Sequence, residues 1–208
     1  MVFLALDSIT NHYDLYVPHE PYSPSELSAM TYHGVLRPQF GPYYVDVTTP
    51  DTAAQRAKGV RLAGEQLIAG DWTATMLTAA WIHLGGQSPE MFEAATATYQ
   101  GTRLRSKIIP TAFRHIDYLQ RSDIADEDLL VSGGIVVTSL ELTIEDLLRT
   151  GRTARHHSCA GELANQVDLD HLQERFHNKR HLDGMQQALK CLEQLRLQAR
   201  SSAETHAL

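Results

Sequence analysis

The chain has 208 residues, 43% of them apolar, a formal charge of −7 and only two cysteines. That length holds one ordinary domain, or a small domain attached to a larger one, with a real hydrophobic core. The composition excludes more: no apolar run approaches the roughly 18 residues that cross a bilayer, and the acidic balance argues against a protein that coats nucleic acid by bulk attraction. Met1 to Leu6 is apolar but too short, and lacks the basic flank, for a secretory signal. Cys159 and Cys191 stand far apart, outside any Cys-x-x-Cys spacing, so the reading is two reduced thiols in a cytoplasmic protein.

Residues 1–20 carry scattered aromatics without a clear period and predict no more than a short helix. At Ser23-Pro24-Ser25-Glu26 the signals sharpen. Ser23 is the N-cap, Pro24 takes the first helical position, Glu26 completes a capping box, Leu27 and Met30 face inward and Gly34 is the stop. Val35 to Arg37 and Tyr43 to Val47 then pair around Gly41-Pro42. A helix followed by a hairpin is the second half of a winged helix, and the preceding twenty residues barely hold one further helix, so residues 1–48 read as a truncated winged-helix-like segment. Its helix offers Ser25, Ser28, Thr31, Tyr32 and His33, and no Lys or Arg precedes Arg37. Packing or partner contact therefore suits it better than phosphate binding.

Residues 49–208 predict an α+β body. Thr49-Pro50-Asp51 opens a helix rich in alanine and glycine, and a second helix from about Thr73 to Leu84 places Leu77, Ala80, Trp81 and Leu84 on one side before Gly85-Gly86. Met91 to Tyr99 and Ser106 to Ile116 read as strands, although alanine-rich 94–97 also suits a helix. The most consistent stretch is Asp128 to Arg149. Two β-favouring runs, Leu129 to Val131 and Ile135 to Val137, flank Gly133-Gly134, which tolerates the positive φ of a primed turn. Thr138 and Glu141 then form a Thr-x-x-Glu capping box for a helix that Gly151 ends. With the other strands the hairpin makes a mixed or antiparallel sheet. Beyond Gly151 the pattern is helical: Ala154 to Val167, Asp168 to His177, and Leu182 to Ala199, where Leu182, Met185, Leu189, Leu192 and Leu195 fall in line as core or a dimer seam. Ser201 to Leu208 reads as a frayed tail.

Few residues point to chemistry. His177 and His181 have the spacing of a helical metal pair, but Lys179 and Arg180 intervene, so solvated histidines are the reading and no metal or cofactor is expected. His156-His157, beside Arg155, suit anion contact. Ser158-Cys159-Ala160-Gly161 is not a nucleophile elbow, and Asp126-Glu127-Asp128 are consecutive, as in a solvated loop. The cations gather in two runs: Arg103, Arg105, Lys107 and Arg114, then Arg149, Arg152 and Arg155. These are the candidate phosphate contacts.

Val136-Val137-Thr138-Ser139-Leu140-Glu141-Leu142-Thr143-Ile144-Glu145-Asp146-Leu147-Leu148 resembles the "VTS-x-x-RT-x-x-D-L" signature of AbiEi-type antitoxins, the regulatory partners of type IV toxin–antitoxin systems. Thr78-Ala79-Ala80-Trp81-Ile82-His83-Leu84-Gly85 is similar to that family's "S-A-A-x-x-H-G" helix, at a similar distance upstream. His83, Thr138, Thr143 and Asp146 fall on motif positions, and Leu142 stands where the family has arginine. The resemblance implies a non-catalytic regulator that binds operator DNA, counters a nucleotidyltransferase-type toxin, or both. A dimeric protein-interaction module that has lost DNA binding is the alternative, and a nuclease is a distant third because no Asp…Glu-x-Lys constellation is present.

Overall fold

In the computed structural model, which describes residues 15–19, 21–68, 70–96, 115–120 and 124–205, the first element is the helix α1 (Pro24–Tyr32). Its capping box forms as the sequence predicts: the Ser23 amide donates to Glu26 Oε2 at 2.7 Å and the Glu26 amide to Ser23 Oγ at 3.3 Å. The hairpin β1 (Leu36–Phe40) and β2 (Tyr43–Asp46) follows, antiparallel around Gly41-Pro42. Tyr16 exchanges two backbone hydrogen bonds with Tyr44, so the chain enters as a bridge on the outer edge of β2. The short helix predicted for 1–20 falls largely outside the described residues.

The hairpin does not stand apart from the body. Phe40, Tyr43 and Val45 are fully buried in one core with Ala57, Val60 and Ala63 of α2 (Ala53–Leu67). Phe40 stacks on Trp81 at 5.1 Å. α2 starts later than predicted, because Thr52 rather than Thr49 takes the N-cap and accepts from the Gln55 amide.

The body is α+β. A five-stranded mixed sheet runs β5-β4-β3-β7-β6, from β3 (Trp72–Ala74), β4 (Met91–Thr96), β5 (His115–Gln120), β6 (Leu129–Ser132) and β7 (Ile135–Thr138). Thr73 and Ala74, predicted as the start of a helix, are strand residues at the centre of this sheet: Ala74 lies opposite Ala94 on one side and Val137 on the other. Pairing of Thr73 and Ala74 on both edges overrides their local pattern, and the helix α3 begins only at Met76 and runs to Leu84. Residues 94–96 are strand, not helix. The strand predicted from Ser106 appears as β5 from His115, with 106–114 outside the described residues.

Four helices close the other side of α3: α4 (Leu140–Thr150), α5 (Ala154–Ala164), α6 (Leu169–Asn178) and α7 (Met185–Thr205). α4 is capped by Ser139, which accepts from the Leu142 amide. Thr138, the predicted cap, is instead the last residue of β7, with its hydroxyl 2.7 Å from that of Thr143. In α7, Met185 and Leu192 are buried, and Leu189, Leu195 and, just ahead of the helix, Leu182 pack partly against the same second core, so this stripe serves the chain's own interior. The helix continues through Ser201 to Thr205, where a frayed tail was expected.

The turn between β6 and β7 is pressed against α2. Gly133 has φ +54, and a Cβ there would lie 2.5 Å from the Ala54 carbonyl oxygen and 2.9 Å from the Lys58 amide nitrogen. Gly134 has φ +82, but a Cβ there meets only the mobile Arg61 guanidinium. Gly133→Ala should therefore cost about 2–4 kcal/mol, from left-handed strain plus a clash with helix backbone. Gly134→Ala should cost about 1 kcal/mol, from strain alone. Urea unfolding of both variants checks the order.

Candidate functional site

α3 begins directly behind β3, and the turn is sharp enough to put Met76 at φ +49, a left-handed conformation that costs a side-chain-bearing residue of order 1–3 kcal/mol. Thr75, at the N-cap, makes no side-chain cap bond. Its hydroxyl donates to Asp146 Oδ2 at 3.2 Å. Glu93 of β4 takes over the capping: its Oε2 accepts from the Leu77 amide at 2.8 Å, and its own amide donates to Thr78 Oγ1 at 2.8 Å. Glu93 Oε1 lies 3.1 Å from Nε2 of His156. Because the Thr153 amide donates to His156 Nδ1, the proton of the neutral ring sits on Nε2 and is donated to Glu93. Both side chains are buried.

At the opposite end of α3, Arg56 reaches from α2. Its Nε and Nη2 donate to the Ile82 carbonyl at 3.0 and 2.8 Å, and its Nη1 pairs with Asp51 at 3.0 Å. Beside it, His83 Nε2 donates to the Thr138 carbonyl at 2.8 Å. Burial disfavours the charged imidazole and Arg56 adds to this, so the His83 pKa falls below its usual value although the Thr138 carbonyl opposes the shift.

The four positions singled out in the sequence fall into two joints of α3: His83 holds Thr138 and Thr138 holds Thr143 at its carboxyl end, and Asp146 holds Thr75 at its amino end. All are interior contacts. Of the cations, Arg103, Arg105, Lys107 and Arg114 lie outside the described residues. Arg149 is not the free phosphate contact expected: Nη2 faces Asp146 at 3.5 Å and Nη1 donates to the Asp183 carbonyl at 3.4 Å, inside the joint between α4 and the turn before α7. Arg155 donates to the Gln87 carbonyl at 2.6 Å and is half-buried. Arg152 is exposed. His156, read as an anion contact, is buried against Glu93, and His157 beside it is exposed.

A second polar cluster sits where residues 124–128 meet α6. Arg175 forks onto Asp128 with two bonds of 2.7 Å and turns its Nε to Glu145 at 3.0 Å, while Lys179 reaches the same Glu145 oxygen at 2.8 Å. Burial raises the Asp128 pKa, but the guanidinium outweighs it and holds the carboxyl below its ordinary range. Asp128 is therefore a buried ion-pair partner, not part of the solvated loop that its neighbours suggested. Among the described residues no group of His, Cys, Asp and Glu could hold a metal ion, and α6 ends before His181, so the His177–His181 pair shares no helix.

Glu93 and Arg175 were not found from the sequence, and His156 was read as an anion contact without its partner. Glu93 did leave a signal, since one carboxylate inside the apolar run Met91 to Thr96 must find buried partners. No protein-family model matches the chain, and no curated protein matches its sequence.

Two outcomes follow from this geometry. His83 has a folded-state pKa below its unfolded value of 6.5, so the unfolded chain takes up the proton first. Its contribution is intact above pH 6.5 and is lost as pH falls from there towards the folded-state value. Equilibrium unfolding between pH 7.5 and 5 should show this loss of stability, and His83→Gln should flatten it. Arg175→Leu should cost about 3–5 kcal/mol, because it leaves Asp128 and one face of Glu145 buried without their cation. A loss under 1 kcal/mol in urea titration would contradict that assignment.

Proposed function

We propose that the chain is a regulator without catalysis of its own, of the kind that the AbiEi-type antitoxins represent, acting on operator DNA and on the output of a toxin partner. The observation that carries this reading is the contact between its two signature stretches. The segment Thr78 to Gly85 and the segment Val136 to Leu148 are each short, but His83 of one bonds Thr138 of the other, and Asp146 bonds Thr75 just ahead of the first. The two stretches are neighbours because β3, just ahead of the first, pairs with β7 in the second. The amino-terminal part supports the same reading in outline: α1 buries only Leu27 and turns Ser25, Ser28, Tyr32 and His33 outward from a hairpin.

One observation favours the protein-interaction reading instead. Tyr32 is 89% exposed, and Val35 and Val47, joined by a backbone bond of 3.1 Å, are 43% and 45% exposed at the base of the same hairpin. Arg37 of the same hairpin is half-buried and turned to the Gln39 side chain and the Thr49 carbonyl.

Fluorescence anisotropy of a labelled duplex from the gene's own upstream region, beside a scrambled duplex, separates the two readings. Operator recognition predicts binding that prefers the upstream duplex and persists at physiological salt. Arg152→Ala should then lower the slope of log affinity against log salt by about 0.9, one phosphate contact. Equal binding of both duplexes that vanishes with salt would leave the exposed Tyr32 patch as the working surface.

A further inference from the structure

The cleft beside Arg175 is not used by the regulator reading and does not depend on it. It encloses about 540 Å³ between residues 124–128, α4 and α6, a volume in the range of ligand sites. Its charges divide into two kinds. Arg175 and Lys179 are matched by Asp128 and Glu145 through the bonds already described. Glu127 and Glu174 also line the cleft, both exposed, and neither has a partner among the described residues. With Asp128 and, behind the lining, the buried Glu145 set against Arg175 and Lys179, the two carboxylates left at the rim are Glu127 and Glu174. Ile124 and Ala125 form a small apolar wall with the buried Leu142 behind it, and His171 and Asn178 complete the lining.

A wall of this kind beside unpaired carboxylates suits a long cationic side chain, whose methylenes cover apolar surface while its head group meets the acids. We propose that this cleft receives an arginine side chain presented by a protein partner. Arginine is preferred over lysine because a planar fork of donors can address two carboxylates at once, while a lysine ammonium is a single, more strongly hydrated point charge. A phosphate or nucleic-acid backbone is disfavoured: the two rim carboxylates have the wrong sign, and the Arg175 guanidinium is already committed to Asp128 and Glu145 on all three of its nitrogens. The volume leaves room for the residues flanking the arginine, so the ligand class is an exposed basic turn or tail.

The test is a titration of the isotope-labelled full chain, followed by NMR, with the tripeptide acetyl-Gly-Arg-Gly-amide and its lysine and citrulline counterparts at low salt. The arginine peptide should produce saturable shifts confined to residues 124–128 and 171–179. The lysine peptide should bind several-fold more weakly, and the citrulline peptide, equal in shape but uncharged, at least tenfold more weakly. The double variant Glu127→Gln/Glu174→Gln, changed only at exposed positions, should lose at least tenfold in affinity for the arginine peptide. Absence of saturable shifts, shifts centred elsewhere, citrulline binding equal to arginine, or an unchanged double variant would each overturn the proposal. None of these outcomes touches the DNA measurement, so the two readings fail separately.

Discussion

α3 is held at each end by a buried charge of the sign its dipole requires. Residues Met76 to Ile82 are all buried and His83 to Gly85 half-buried, so the amino end of the helix cannot rely on water for its unpaired backbone groups and the carboxyl end can do so only in part. The Glu93 carboxylate takes an amide at the positive end, and the Arg56 guanidinium takes carbonyls at the negative end. Each charge is itself balanced, Glu93 by hydrogen bonds from His156 and the helix amide, Arg56 by Asp51. A carboxylate or guanidinium this deep without such partners would cost several kcal/mol.

The rest of the molecule is arranged around that helix. Ala79, Trp81 and Ile82 face the core shared with α2, the hairpin and the sheet, while Met76, Leu77 and Ala80 face the core built from α4 to α7. α3 is thus the partition between two hydrophobic clusters, and the hydrogen bonds at its ends tie it to β4, β7, α2, α4 and α5. The motif residues belong to this partition. His83, Thr138, Thr143 and Asp146 are joints that hold the fold together, and binding is a matter for its outer surface. A search for the working surface therefore leads outward, to α1 and its hairpin, to Arg152, and to the acidic cleft.

What could be read in advance divides along the range of the forces involved. The Ser23–Glu26 box and the Gly133-Gly134 hairpin depend on residues a few places apart, and both form where the sequence puts them. β3 could not be read, because Trp72-Thr73-Ala74 is a strand only by virtue of β4 and β7 on either side. Thr138 looked like a cap because its spacing to Glu141 is right, but the strand runs one residue further and passes the role to Ser139. Asp128 was visible as an acid and not as a buried one, since the arginine that neutralises it lies 47 residues on. The α7 stripe was legible as apolar, and only the packing of α6 and α4 against it decided that it faces inward.

Leu142 shows how a single apolar side chain shapes the charge around it. An arginine there, in the place the family resemblance gives it, would enter a cleft in which Arg175 already satisfies Asp128 and shares Glu145 with Lys179. Only Glu127 and Glu174 would remain for it to pair with. Leucine, 1% exposed, adds apolar wall and leaves those two carboxylates facing water. Exposed single carboxylates cost nothing in the unbound protein, because water solvates them, but they attract any cation that also covers the leucine. The positive charge beside α4 is thus supplied inside the fold by Arg175 and Lys179, from α6 and the turn that ends it.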